Sequence, residues 1–206
     1  MTKLAHNKAK FGWDAFNKSY EVQELPWFTR EIDSDFREFI EKYGSRGKRI
    51  LDVGAGPGTT AVFLARSGYE VTATDISPYI VEVAKKRAGA LASAIEWRVD
   101  DITESKLSGE FDVIHDRGCF HVLPEDLRIK YVGNICRLIA ENGVLCMKAF
   151  SKNEETPRPG AHKFDAKEIS EYFRCTFKLL ESRESSLPST LENDPRAIFV
   201  ILKKST

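Results

Sequence analysis

Apolar residues along the chain change their period several times, and each change marks a new element. Residues 13–22, WDAFNKSYEV, and 33–44, DSDFREFIEKYG, carry apolar side chains at helical spacing. In the second, Phe36, Phe39, Ile40 and Tyr43 share a face and Gly44 supplies a stop. Pro26, within QELPWFTR, breaks any continuous helix between them. From Arg49 onward short apolar runs alternate with amphipathic ones. RILDVG reads as a buried strand, TTAVFLARSG as a helix ending at Gly68, and EVTATDI as a second strand. SPYIVEVAKKRAGA reads as a helix with Ser77 as N-cap and Pro78 in its first position. IEWRVDDI, FDVIHDRG and GVLCMKAF are three further strands, and the helix PEDLRIKYVGNICRLI separates the last two. Such alternation predicts a parallel sheet with helices on both faces.

After residue 150 the pattern changes. DAKEISEYFR is helical, while FKLLESRESSL and RAIFVILKK are strands joined by a polar turn containing Pro188, Asn193 and Pro195. A hairpin there adds an antiparallel edge. The expected fold is therefore α/β: a doubly wound, Rossmann-like, mostly parallel seven-stranded sheet with an antiparallel C-terminal hairpin and an N-terminal helical lid. A chain of 206 residues is expected to form a single domain, with a lid segment at 1–46, a core at 47–150 and the C-terminal helix and hairpin at 151–206.

Composition narrows the function classes. The 31 basic and 31 acidic side chains cancel, which gives no general electrostatic reason to bind nucleic acid or an anionic membrane. Cys119, Cys136, Cys146 and Cys175 show no CxxC pair and no metal-ligand spacing, so no metal is expected and a reduced, cytoplasmic compartment is the simplest reading. The basic N-terminus lacks the apolar core of a secretory signal, and no apolar run approaches the ~18 residues of a membrane helix, so a soluble protein is expected.

The candidate chemistry begins at LDVGAGPGTT, residues 51–60. The glycine loop leaves the first strand and opens a helix, where doubly wound folds bind ligands. Its pattern is Gly54-x-Gly56-x-Gly58, and the dinucleotide fingerprint would need glycine where Thr59 stands. Asp52 discriminates further. A carboxylate two residues before the first glycine repels a pyrophosphate, by roughly a few kcal/mol if poorly screened. It attracts a ligand bearing an α-ammonium and a sulfonium, and S-adenosyl-L-methionine carries both. Asp75 ends the next strand and suits two hydrogen bonds from ribose hydroxyls, a feature shared with NAD sites. At the third strand end stand Asp100, Asp101 and Ile102, with an acidic side chain to accept from an adenine amino group and Ile102 to pack on the ring.

LDVGAGPGTTAVFLARSGYEVTATDIS resembles the cofactor motifs of class I S-adenosylmethionine-dependent methyltransferases, over roughly residues 48–150. The resemblance implies that Asp52, Gly54 and Gly56 line the methionine portion, Asp75 the ribose, and Asp101 with Ile102 the adenine. Trp27, Ala55, Gly58, Thr59, Ile76, Asp100 and Asp116 complete the expected cofactor set. DRGCFHVLP resembles the corresponding segment of the thiopurine S-methyltransferase-like and related small-molecule thiol or chalcogen methyltransferases. LPW, with Trp27, resembles the aromatic segment those enzymes fold over the cofactor. The expected partner is thus a small-molecule acceptor, a thiol or chalcogen first, with N- or O-methylation of a metabolite or methylation of a protein lysine as the alternative. The tetrapeptide DRGC lacks the proline clamp used for planar amides and bases. An NAD-dependent oxidoreductase is opposed by Asp52, Thr59 and the lack of a Tyr-x-x-x-Lys pair; a non-catalytic cofactor-binding protein stays open.

FDVIHDRGCFHVLPEDLR brings Asp116, Arg117 and His121 to one strand end. Arg117 either attracts an anionic thiolate or acidic substrate or pairs with Asp116 or Asp112. His121 either accepts a proton from a thiol, amine or hydroxyl or caps and packs. Cys119 is read as a packing residue. The loop FSKNEETPRPGAHKF would cover the site, with His162 in it touching substrate or solvated. Trp13, Phe16 and Tyr20 form either part of a lid or a core face.

Overall fold

Strands whose sequences are apolar on both faces need helices on both sides, and the structure supplies them. A computed structural model describes residues 25–44, 48–158 and 160–205. The helix expected at 13–22, with Trp13, Phe16 and Tyr20, lies outside the described residues. Seven strands form one sheet: β1 Arg49–Val53, β2 Glu70–Asp75, β3 Ile95–Val99, β4 Phe111–Arg117, β5 Ile139–Phe150, β6 Phe177–Ser186 and β7 Arg196–Lys204. Their order is β3-β2-β1-β4-β5-β7-β6. Strands β1 to β5 run parallel, and β7 lies antiparallel between β5 and β6. The direction of winding reverses between β1 and β4, so the carboxyl ends of those two strands open the crevice where ligands bind in such sheets.

Among the described residues five helices pack on this sheet: α1 Ser34–Tyr43, α2 Thr59–Arg66, α3 Pro78–Ala88, α4 Glu125–Leu138 and α5 Ala166–Phe173. Successive strand residues point to opposite faces. Ile50 therefore joins Phe36, Phe39 and Ile40 of α1 and Leu64 of α2 in one core, while Leu51 joins Tyr131, Ile135 and Leu138 of α4 and Phe173 of α5 in the other. Among the described residues no helix is long and apolar enough to cross a membrane.

Three expectations are corrected. The strand expected over IEWRVDDI stops at Val99, because the Asp101 carboxylate accepts the Thr103 N–H and starts a short 3-10 turn at Ile102–Glu104. Strand β5 begins at Ile139 rather than Gly143; α4 runs straight into it, and Asn142 takes a left-handed conformation (φ 62°) that a short amide side chain tolerates. The helix at 34–43, expected as part of a lid, is a layer of the core: Phe36 and Phe39 are buried.

Charge holds the start of α1 in place. Asp33 caps the helix through the Asp35 N–H. Asp33 and Asp35 then face three cations that lie in register across the sheet: Arg117 beside Lys148, Lys148 beside Phe199, and Phe199 beside Arg183. Lys148 is only 3% exposed, and its Nζ lies 2.6 and 2.8 Å from the two Asp33 oxygens. Arg117 Nε donates to Asp33 at 3.2 Å and Arg183 to Asp35 at 2.9 Å. Lys148→Ala removes the cation that both carboxylates share and leaves them only Arg117 and Arg183 among the described cations. A broken buried pair costs about 3–5 kcal/mol. Urea unfolding should show a loss of that size; a loss under about 1 kcal/mol would mean the clamp is not what seats α1.

Candidate active site

The crevice floor is built by the turn from β1 into α2. Gly54, Gly56 and Gly58 all take positive φ (65°, 53° and 81°), where any other residue is strained. Gly58 has a second reason to lack a side chain: a Cβ there would sit 2.7 Å from the Trp97 ring. The loop is pinned to β2, with the Ala55 N–H donating to the Thr74 carbonyl at 2.8 Å and the Gly56 N–H to Asp75 Oδ2 at 3.1 Å.

Acidic side chains end the three strands on this side, and their hydrogen bonding separates them. Asp52 is 2% exposed; its Oδ1 lies 2.8 Å from His115 Nδ1, while Oδ2 is buried with no hydrogen-bond partner among the described residues. Asp75 accepts from Gly56 and from the Ser77 N–H at 3.0 Å, and burial raises its pKa despite those donors. Ile76 sits half-buried beside it. Asp100 accepts the Lys106 N–H through Oδ1, and its Oδ2 is buried without a partner among the described residues. Asp101 accepts from both the Thr103 N–H and hydroxyl. Ile102 is buried in the α4-side core, with its carbonyl accepting from Asn134, so its expected place against a ring in the crevice is corrected.

A sealed carboxylate oxygen without a donor costs free energy unless a ligand supplies one. The donor set therefore fits S-adenosylmethionine: its ammonium would supply the donor that Asp52 Oδ2 lacks, beside a loop of bare glycines. A pyrophosphate would meet a buried negative charge instead.

The outer wall comes from Leu25–Arg30. Trp27, 40% exposed, and Thr29 border the same pocket as Asp52, Gly54 and His115. Thr59 Oγ1 donates to the Thr29 carbonyl at 2.8 Å, and Arg117 Nη1 to the Trp27 carbonyl at 3.3 Å. Arg117 also donates to Asp33 and to the Pro188 carbonyl. It lines the pocket as a brace, and its partner is Asp33 rather than the expected Asp116 or Asp112; the latter accepts the Arg49 N–H.

Two expected site residues turn away from the crevice. Asp116 is fully buried, and its oxygens accept from the Cys119 and Phe120 N–H groups and the Tyr131 hydroxyl, which leaves it shaping the turn after β4. Burial pushes its pKa up to about 6. His121 is buried and stacked on Phe150, and its Nδ1 accepts the Phe150 N–H at 3.1 Å. That bond puts the neutral ring's proton on Nε2, so the ring has no free acceptor for a substrate proton. Burial, with Arg117 and Arg128 nearby, lowers its pKa to about 3. Burial also pushes the Cys119 thiol well up, in keeping with a packing role. His162 is tied to Glu168 at 2.7 Å. His115, Asp33 and Lys148 were not singled out from the sequence; only the in-register pairing of Asp52 with His115 brings that ring to the crevice.

A family model described as a methyltransferase domain matches residues 50–143. The chain is 32% identical over 152 residues to the mitochondrial ubiquinone biosynthesis O-methyltransferase of Schizosaccharomyces pombe, covering 70% of this chain and 52% of that relative. It thus spans about half the length of that relative. Among solved structures, one from work on the conversion of a disulfide bond into a thioacetal group during echinomycin biosynthesis superposes with a TM-score of 0.79 at 23% identity, covering 96% of this chain and 93% of that one. The Burkholderia thailandensis 1,6-didemethyltoxoflavin-N1-methyltransferase, bound to its substrate and S-adenosylhomocysteine, gives 0.77 at 21% identity, with 98% and 90% covered.

The reassignment of His121 has a measurable consequence. Its folded pKa of about 3 lies below the ordinary 6.5, so between those values the unfolded chain binds the additional proton. Stability from this residue is complete above the upper value and falls as pH falls, by up to about 1.4 kcal/mol per pH unit. Urea unfolding between about pH 7 and about pH 5 should show a shallower decline in His121→Gln than in the wild type; equal slopes would return the ring to a solvated position. With Asp116 and His121 assigned to the frame, the crevice is left with the glycine loop and the acidic strand ends before and beside it. That constellation lies within residues 50–143, which match the methyltransferase domain model, and the fold around it is that of solved S-adenosylmethionine-dependent methyltransferases.

Proposed function

We propose that the protein transfers a methyl group from S-adenosylmethionine to a small-molecule nucleophile by direct displacement, with a thiol or chalcogen as the first acceptor class. The observation that carries the reading is Asp52 Oδ2, a buried carboxylate oxygen with no donor at the foot of the glycine loop. Asp52 would hold the α-ammonium, Asp75 the ribose hydroxyls through its remaining lone pairs, and Asp100 Oδ2 the adenine amino group. When bound, the cofactor supplies a methyl group already activated by its sulfonium. The chain's task is then alignment and exclusion of water, which supply much of the rate for such transfers. The Trp27–Thr29 wall, tied down by Thr59 and Arg117, performs the second task.

The thiol reading is supported by the resemblance of DRGCFHVLP and by the likeness to a structure from work on disulfide-to-thioacetal conversion. A nitrogen or oxygen acceptor is the second reading, favoured by the O-methyltransferase and N1-methyltransferase among the similar proteins.

Calorimetry should detect binding of S-adenosylmethionine and S-adenosylhomocysteine and none of NAD. Asp52→Asn and Asp75→Ala each remove a charged acceptor, worth about 1.5–3 kcal/mol, and should weaken binding roughly 10- to 100-fold. Undiminished affinity in both variants would sink the cofactor assignment. For the acceptor, thiols, selenide, tellurite, amines and phenols are offered in turn and methylated product is read by mass spectrometry. Product from thiols or chalcogens is expected, and product from amines or phenols alone replaces the thiol reading.

A further inference from the structure

Strand order lays out the proposed cofactor site as a row. Asp100 follows β3, Asp75 ends β2 and Asp52 lies near the end of β1, so the adenine, ribose and methionine portions would step across three neighbouring strands. The next strand in that direction is β4, about 4.8 Å further on. On it, in register with Asp52, stands His115. Resting on the cofactor reading above, we infer that His115 is the general base that takes the proton from the methyl acceptor.

Four features of the ring support this. His115 lines the same pocket as Asp52, the glycine loop and Trp27. Its Nδ1 is 2.8 Å from Asp52 Oδ1, so the carboxylate draws the neutral ring's proton onto Nδ1 and leaves Nε2 as the acceptor. Nε2 makes no hydrogen bond among the described residues, and the ring, only 3% exposed, meets open space where it borders this pocket. The Phe36 ring packs on the imidazole with centroids 3.8 Å apart and restricts its rotation. His121 has the opposite arrangement, with Nδ1 occupied and no free acceptor.

One carboxylate then serves two tasks. Asp52 Oδ1 orients the base, and Oδ2 remains for the cofactor's ammonium. As the acceptor's lone pair bonds to the methyl carbon, the carbon–sulfur bond breaks with its electron pair staying on sulfur. The acceptor's proton passes to Nε2, and the imidazolium so formed is stabilised beside Asp52 until solvent removes the proton. The other groups around the ring are Asp33 from the α1 cap, Asp116 and Arg117 on the same strand and Cys146 of β5 in register with it. Arg117 and Lys148 share Asp33, the Asp116 oxygens are taken up by the turn after β4, and burial keeps the Cys146 thiol protonated, so Asp52 is the carboxylate bonded directly to the ring.

Nitrogen-15 NMR of histidine-labelled wild type, saturated with S-adenosylhomocysteine, reads the ring without any acceptor. A proton on Nδ1 and a bare Nε2 at about pH 8 are expected; a protonated Nε2 there overturns the inference. His115→Asn keeps an amide N–H where Nδ1 stood and so preserves the donor to Asp52. With the acceptor that the wild type methylates fastest, kcat of this variant should fall about 100-fold or more, and the acid limb of its pH profile should disappear. Its Kd for S-adenosylhomocysteine should stay within about threefold of wild type. An unchanged pH profile with weakened cofactor binding would make His115 a support for Asp52 and not a base. Failure of the wild type to bind S-adenosylhomocysteine would instead remove the cofactor reading on which the inference stands.

Discussion

A lysine enclosed between two aspartates decides where the wall of the crevice stands. Taking three charges out of water is costly, and it is tolerated only when each finds partners on every side. Lys148 meets Asp33, Asp35 and the Ser186 carbonyl, while Arg117 and Arg183 complete the carboxylates from either side. The same carboxylates lie at the N-terminus of α1, where the helix dipole favours negative charge. Because the cations sit in register on β4, β5 and β6, the helix has one seat on the sheet. The preceding residues, Leu25 to Arg30, are thereby carried over the glycine loop, and Thr59 and Arg117 fasten them there.

Within the crevice, residues of one type differ in role according to how many donors the protein itself provides. Asp116 has three and is consumed by the turn after β4. Asp75 is fixed by backbone donors, Gly56 and Ser77 among them. Asp52 and Asp100 each keep one oxygen without any, and a buried oxygen in that state is a demand for a ligand donor. The two buried histidines divide in the same way. His121 accepts a backbone N–H and His115 faces a carboxylate, so their protons go to opposite nitrogens and only His115 offers a free acceptor.

Much of this was legible along the chain. The glycine loop and the carboxylates at three strand ends lie close to one another in sequence or repeat at the rhythm of strand and helix, and local spacing places them. The alternation from Arg49 to Phe150 and the two closing strands likewise determine a mostly parallel sheet, because a run apolar on both faces requires helices on both sides. Reading Asp52 as a sign of a cationic ligand needed only its place before Gly54.

Function beyond the cofactor was not local. Asp116, Arg117 and His121 share one short segment, yet their side chains leave β4 and its turn in different directions, into a turn, toward α1 and against Phe150. The pairing of Asp52 with His115 spans 63 residues and that of Asp33 with Lys148 spans 115. No periodicity in the sequence records such distances, because they are set by strand register and by the helix that register seats. The sequence by itself determined the sheet, the loop and the charge of the ligand. Tertiary structure alone decided which histidine keeps a free nitrogen and which carboxylate a free oxygen, because hydrogen-bond partners are assigned only once distant strands lie side by side.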